Sequence, residues 1–102
     1  MTFVKNDAEK PDLTLLPYGA LSQAAFASMY GAKKYGKDNW KLGDDYSSSI
    51  MRFIAAALRH LYQRSSGQQY DDETGLDHLA HAAASCLFAL ELSLTNKEGN
   101  KK

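Results

Sequence analysis

The sequence predicts a compact all-α bundle of three main helices. Apolar residues recur at helical spacing in three separate stretches. Polar segments carrying Gly or Ser divide those stretches. No stretch of useful length alternates apolar and polar residues as a strand would.

The first helix is expected from about Pro17 to Lys34. Proline suits the first helical turn, where its missing N–H costs no hydrogen bond. Leu21, Ala25, Ser28, Met29 and Ala32 follow at helical spacing, and Gly36 can end the helix. Residues 37–45 read as a polar loop around a single tryptophan, Trp40. The serine run Ser47–Ser49 then supplies an N-cap for the second helix. Ile50, Phe53, Ile54, Ala57, Leu58 and Leu61 form its apolar face. Arg52, Arg59 and Gln63 lie opposite, with His60 on the edge between them. The second helix stops near Ser65, Ser66 and Gly67.

A loop, QQYDDETG, leads to the third helix. Its carboxylates Asp71, Asp72 and Glu73 sit at or just before the predicted helix start, where the helix dipole favours negative charge. Leu76, Leu79, Ala80, Ala83, Leu87, Leu90 and Leu94 make a clean stripe down this helix. The opposite face carries His78, His81, Ala82, Ser85, Ala89 and Leu92 in place of the Lys, Glu and Gln of a solvated surface. Such a face asks for cover. Three short helices bury little alone, so the expectation is a bundle completed by self-association with another copy.

Residues 1–12 and 95–102 read as mobile polar tails around a single helical domain, 13–94. A chain of 102 residues holds one domain, and 44% hydrophobic content excludes wholesale disorder. Lys plus Arg equals Asp plus Glu at 12 each, so the basic face that duplex nucleic acid needs is missing. The single cysteine, Cys86, forms no internal disulfide and reads as a small core residue in a reducing compartment. No apolar run reaches the ~18 residues of a membrane span. The N-terminus lacks the apolar core of a signal peptide, so a cytoplasmic location is expected.

Chemistry concentrates around the second loop. Asp71, Asp72, Glu73, Asp77, His78 and His81 cluster there, with His60 upstream. His78 and His81 are three residues apart on a helix, about 60° apart around it. Two imidazoles and a carboxylate suit a divalent transition metal, carboxylates alone suit Mg²⁺, and a histidine near pKa ~6.5 also moves protons. The same residues fit a second reading, in which the histidines brace the core or an interface and the acids cap a helix. The spacing favours this second reading, because HxxH lacks the intervening Glu and the i, i+4 spacing of a zincin motif. A second constellation, GAKKYGKDNWKLG with Arg52 and Arg59, joins cations for phosphate with aromatic rings for a base. A single tryptophan in a polar loop is more often a packing anchor, and Trp40 fits that reading. No Walker loop, GxGxxG, CxxC or nucleophile elbow is present.

The phrases KPDLTLLPYGAL, GAKKYGKDNW, ALRHL and DDETGLDHLAHAA, in that order, resemble the phage dATP/dGTP diphosphohydrolase N-terminal domain family. More distantly, the chain resembles MazG-like all-α nucleoside triphosphate pyrophosphohydrolases. The resemblance covers residues 10–93. It implies a helical fold and cleavage of a purine deoxynucleoside triphosphate to monophosphate and pyrophosphate, in the cytoplasm of an infected host cell. It also implies site residues. His60, Glu73 and His78 would act in catalysis. Asp71, Glu73, His78 and His81 would hold a divalent metal (Mg, Mn or Co, with Zn also suitable). Lys34, Tyr35, Asn39, Trp40 and Arg59 would bind the nucleotide. The competing reading is a non-catalytic nucleotide binder, a sponge for a cyclic or signalling nucleotide.

Overall fold

A computed structural model describes residues 10–35 and 46–99, apart from the side chains of residues 34, 35, 46 and 96–99. The predicted nucleotide residues Asn39 and Trp40, and the side chains of Lys34 and Tyr35, lie outside this described part. Among the described residues there are three α-helices: α1 (Tyr18–Tyr35), α2 (Tyr46–Ser65) and α3 (His78–Gly99). A single 3-10 turn, Leu13–Leu15, precedes them, capped by the Asp12 carboxylate. The all-α expectation holds.

Local chemistry sets the boundaries. Pro17 stands just outside α1, where its carbonyl accepts from the Leu21 N–H at 3.0 Å. The helix α2 begins at Tyr46, so the serine run lies in its first turn and is not its cap. It ends in a Schellman motif. Gln68 N–H reaches the Gln63 carbonyl at 3.1 Å and Gly67 N–H reaches Arg64 at 3.2 Å, with Gly67 at φ 105°. The helix α3 starts five residues later than the Glu73 region where the acidic cluster suggested. Its cap is Asp77, whose Oδ1 accepts from Leu79 N–H at 2.8 Å. That backbone donor holds the Asp77 carboxyl below its ordinary range. The helix then continues past Leu94 to Gly99.

Helices α2 and α3 form the principal pairing, and α1 packs on α3. His60 meets His78, while Phe53, further back on α2, meets Phe88, further along α3, at a ring separation of 5.3 Å. The pairing is therefore antiparallel. Alanine dominates what is buried: Ala24 and Ala27 on α1, Ala57 on α2, and Ala80, Ala82, Ala84 and Ala89 on α3. Small side chains let helix backbones approach closely, so α3 can be flanked by both other helices.

This close approach redistributes the predicted faces of α3. Ala82, Ala89, Leu92 and His78 are buried by the chain itself. Of the stripe expected to form the core, Ala80 is buried and Leu76 packs against it, while the rest lies open, with Leu87 49% and Leu94 52% exposed. Cys86 is exposed on that side too, contrary to its expected core position. On α2, Ala57 faces inward while Leu58 and Leu61 face outward. On α1, the buried residues are Ala24 and Ala27, not Leu21, Ala25 or Met29. The physical reason is the same each time: bulky leucines hold helices apart, and alanine does not.

Neighbouring alanines on α3 test this arrangement. Ala82 is buried and Ala83 exposed. Urea denaturation should show Ala82→Leu costing about 1–3 kcal/mol through overpacking. The same change at Ala83 should stay within about 0.5 kcal/mol of the parent. Equal effects would contradict the packing described.

Candidate metal and nucleotide site

Three elements meet at one end of the α2–α3 pair. His60 comes from the last third of α2, and His78 and His81 from the first turn of α3. Asp71, Glu73 and Thr74 come from the connecting loop. That loop is held against itself. Asp71 N–H donates to Leu76 O at 2.8 Å, Gly75 N–H donates to Asp71 O at 2.7 Å, and His78 N–H donates to Gln69 O at 2.9 Å. Gly75 takes φ 76°, a left-handed conformation that suits glycine.

The Asp71 side chain organises the turn. Its Oδ2 accepts from Glu73 N–H at 3.1 Å, Thr74 N–H at 2.9 Å and the Thr74 hydroxyl at 3.0 Å. Burial pushes its pKa up. The Thr74 backbone and hydroxyl donors, aided by His81 and His60, outweigh burial and hold it below the ordinary carboxylate value. Asp71 is therefore a carboxylate at neutral pH.

Thr74 links this charge to His81, with its Oγ1 2.7 Å from His81 Nε2. A hydroxyl has one proton, and the charge-assisted bond to Asp71 is the stronger use of it. The oxygen then accepts from His81 Nε2–H, which leaves a lone pair on His81 Nδ1. His81 also stacks on His60, with centroids 4.7 Å apart and planes at 16°. Its Nε2 lies 3.8 Å from the Asp71 carboxylate.

His60 and His78 face each other through their Nδ1 atoms at 2.8 Å. Only one proton fits between two nitrogens at that distance. His78 is 1% exposed, and its Nε2 is buried with no hydrogen-bond partner among the described residues. An unsatisfied buried polar atom costs about 1–3 kcal/mol. The pKa of His60 is lowered, first by burial and then by the neighbouring His81 and His78.

One donor atom each from His60, Asp71 and His78 lies within 4.8 Å of the others. Two imidazoles and a carboxylate are a natural donor set for a divalent transition ion, which takes lone pairs and needs no shared proton. The donor chemistry and the close pair of ring nitrogens thus fit a cation.

Beside the cluster opens a cleft of about 560 Å³. His60, Asp71, Glu73, Thr74 and His81 form one wall, and Ala27, Tyr30, Gly31 and Lys33 of α1 form the other. The structure thus brings together five of the sequence-derived candidates: His60, Asp71, Glu73, His78 and His81. Arg59 does not join them; it is exposed on α2 and lines no part of the cleft. Thr74 and Tyr30 were not singled out by sequence, and Gly31 and Lys33 only as part of the segment GAKKYGKDNWKLG. A signal existed for Thr74, because Asp-x-x-Thr can close on itself as an Asx turn.

Two outcomes test this geometry. Thr74→Val removes the hydroxyl between Asp71 and His81 and should cost about 1–3 kcal/mol, whereas Thr74→Ser should restore most of it. Thermal denaturation of both variants checks this. For pH, a folded His60 pKa below the unfolded value of about 6.5 means that the unfolded chain binds more protons. That stability is full above about pH 6.5 and is lost as pH falls through the folded pKa. Asp71 adds a loss of the same sign at lower pH. Melting temperature in chelator should fall on acidification below about 6.5, and His60→Gln should flatten that limb. An unchanged limb would refute the assignment to His60.

The chain matches the family described as "dATP/dGTP diphosphohydrolase, N-terminal" over residues 2–102. It is 35% identical over 88 residues to a protein of Salmonella phage PMBT28 named dATP/dGTP diphosphohydrolase. The match covers 86% of this chain and 29% of that relative, so the chain spans under a third of its length. No solved structure matches the chain. A match along nearly all of the sequence, together with this identity, places the chain in the dATP/dGTP diphosphohydrolase N-terminal family.

Proposed function

We propose that this domain works on a purine deoxynucleoside triphosphate with a divalent metal, releasing monophosphate and pyrophosphate. The observation that carries the reading is the donor set His60, Asp71 and His78 beside a nucleotide-sized cleft. The name of the phage relative supports the substrate class. Clefts of about 300–1,000 Å³ suit ligands of this size.

On this reading His60, Asp71 and His78 hold the metal, with Glu73 and His81 alongside. When bound, a divalent ion supplies charge neutralisation at the phosphates and a more acidic water. The residues of the chain do the rest. Asp71 stays ionised because Thr74 donates to it. His81 offers a lone pair at Nδ1, suited to taking a proton from an attacking water. Lys33 sets an ammonium against phosphate oxygens. Positioning and charge neutralisation are most of what phosphoryl transfer asks of a protein. The metal is proposed as Mg²⁺, Mn²⁺ or Co²⁺, and the imidazole content favours the transition ions.

A second reading has specific support. The relative extends well beyond the matched segment, so the activity in its name can belong to the remainder. The domain would then bind a nucleotide without cutting it. One experiment separates the two. The protein is incubated with dATP and dGTP in each metal, and the products are chromatographed. Pyrophosphate and monophosphate should appear, and Asp71→Asn and His78→Gln should lower turnover by about 100-fold. Stoichiometric retention of intact nucleotide would favour the binder, and full turnover by both variants would refute this site.

A further inference from the structure

The cleft wall contributed by α1 contains a glycine that nothing in the protein requires. Gly31 lies inside α1, four residues from its end, and lines the cleft. A Cβ built on it meets no atom within 4 Å. It does not take the positive φ found at Gly67 and Gly75. Helix-interior glycine is the weakest helix former after proline, about 1 kcal/mol worse than alanine. Among the described residues, neither backbone conformation nor packing accounts for it. The remaining physical use of a glycine is to let something else approach the backbone closely. The open space over Gly31 belongs to the cleft.

Its neighbours indicate what approaches. Tyr30 also lines the cleft and is half exposed, leaving ring surface for a planar group. Lys33 supplies a cation on the same wall, and among the described residues it has no ion pair. Facing them are the carboxylate of Asp71 and the imidazoles of His60 and His81. The two walls thus differ in kind: one offers a flat slot with one ammonium, the other a set of metal and proton ligands.

We infer that Tyr30 and Gly31 form the nucleobase slot, the base lying against the bare helix backbone, while Lys33 meets the polyphosphate as it crosses toward His60 and Asp71. This rests on the nucleotide reading above and assigns a recognition wall to it. Specificity for a base then resides on α1, apart from the residues that hold metal and move protons. Shape does most of the selecting: a Cβ at position 31 would thicken the slot floor by one methyl.

The test separates fold from binding. Gly31→Ala places a better helix former where an added Cβ meets none of the described residues, so it should raise the melting temperature, by about 4–8 °C per kcal/mol gained. Calorimetry in Mg²⁺, with ligand integrity checked by chromatography, then compares dATP, dGTP and inorganic tripolyphosphate. Gly31→Leu and Tyr30→Ala should each weaken both deoxynucleotides about tenfold and leave tripolyphosphate within about twofold of the parent. Tyr30→Phe should bind like the parent. Lys33→Gln should weaken all three ligands. Gly31→Leu binding both deoxynucleotides like the parent overturns the slot, even where the parent protein hydrolyses them. Loss of binding in these variants of a parent that binds but never cleaves upholds the slot and overturns hydrolysis. A parent that binds neither deoxynucleotide overturns both.

Discussion

The arrangement depends on one buried-edge carboxylate. Asp71 accepts from two backbone N–H groups and one hydroxyl, all within a four-residue turn. Those bonds do two things at once. They fix the loop between α2 and α3, and they keep Asp71 ionised against the pull of burial. The same turn delivers Thr74 to His81, so loop geometry and imidazole tautomer are set by a single interaction. With this carboxylate lost, three imidazoles would crowd one end of a helix pair without the acceptor that holds Thr74 against His81.

That crowding is unusual in energetic terms. Nδ1 atoms at 2.8 Å share at most one proton, and a third ring stacks on the pair. Protonating His60 is opposed by burial and by both other histidines. Held toward its neutral form, His60 has a lone pair to offer. The buried Nε2 of His78 adds a cost that tight packing of α2 on α3 has to offset. Here the alanine-rich contact matters for the site as well as the fold, because only small residues let the two helices bring His60 and His78 this close.

Element type was legible in the sequence, and so was the neighbourhood of the site. Helical spacing marked all three helices, and Asp71, Glu73, His78 and His81 are close enough in sequence that one loop and one helical turn must hold them together. Which face of α3 turns inward was not legible. Periodicity finds a leucine stripe but is blind to how near a partner helix comes, and proximity here favours Ala82 and Ala89 over Leu87 and Leu90. The cap of α3 was misread for a related reason: Asp71 and Asp77 have the same capping chemistry, and only the closed loop decides which one meets the helix. The α1 wall was only partly legible: Lys33 lay in the basic segment GAKKYGKDNWKLG, but Tyr30 is an ordinary helix residue. Their role depends on α1 lying across from His60, which no local pattern encodes. Gly31 did leave a trace, as a glycine inside an otherwise strong helix.

Charge balance bears on how such a cleft could admit a nucleotide. Among the described residues its lining carries two carboxylates, Asp71 and Glu73, and one ammonium, Lys33, with His60 held toward its neutral form. A triphosphate adds several negative charges of its own. Like charges a few ångströms apart repel by about 1 kcal/mol even in water and by more in a partly shielded cleft. Lys33 by itself does not reverse that sum among the described residues. A divalent cation accompanying the phosphates does, and it would sit where Asp71 and the imidazole lone pairs already point their charge. On this argument metal and nucleotide bind as coupled ligands, each raising the affinity for the other. Base recognition on α1 can then stay largely uncharged, because the electrostatic work is done at the opposite wall.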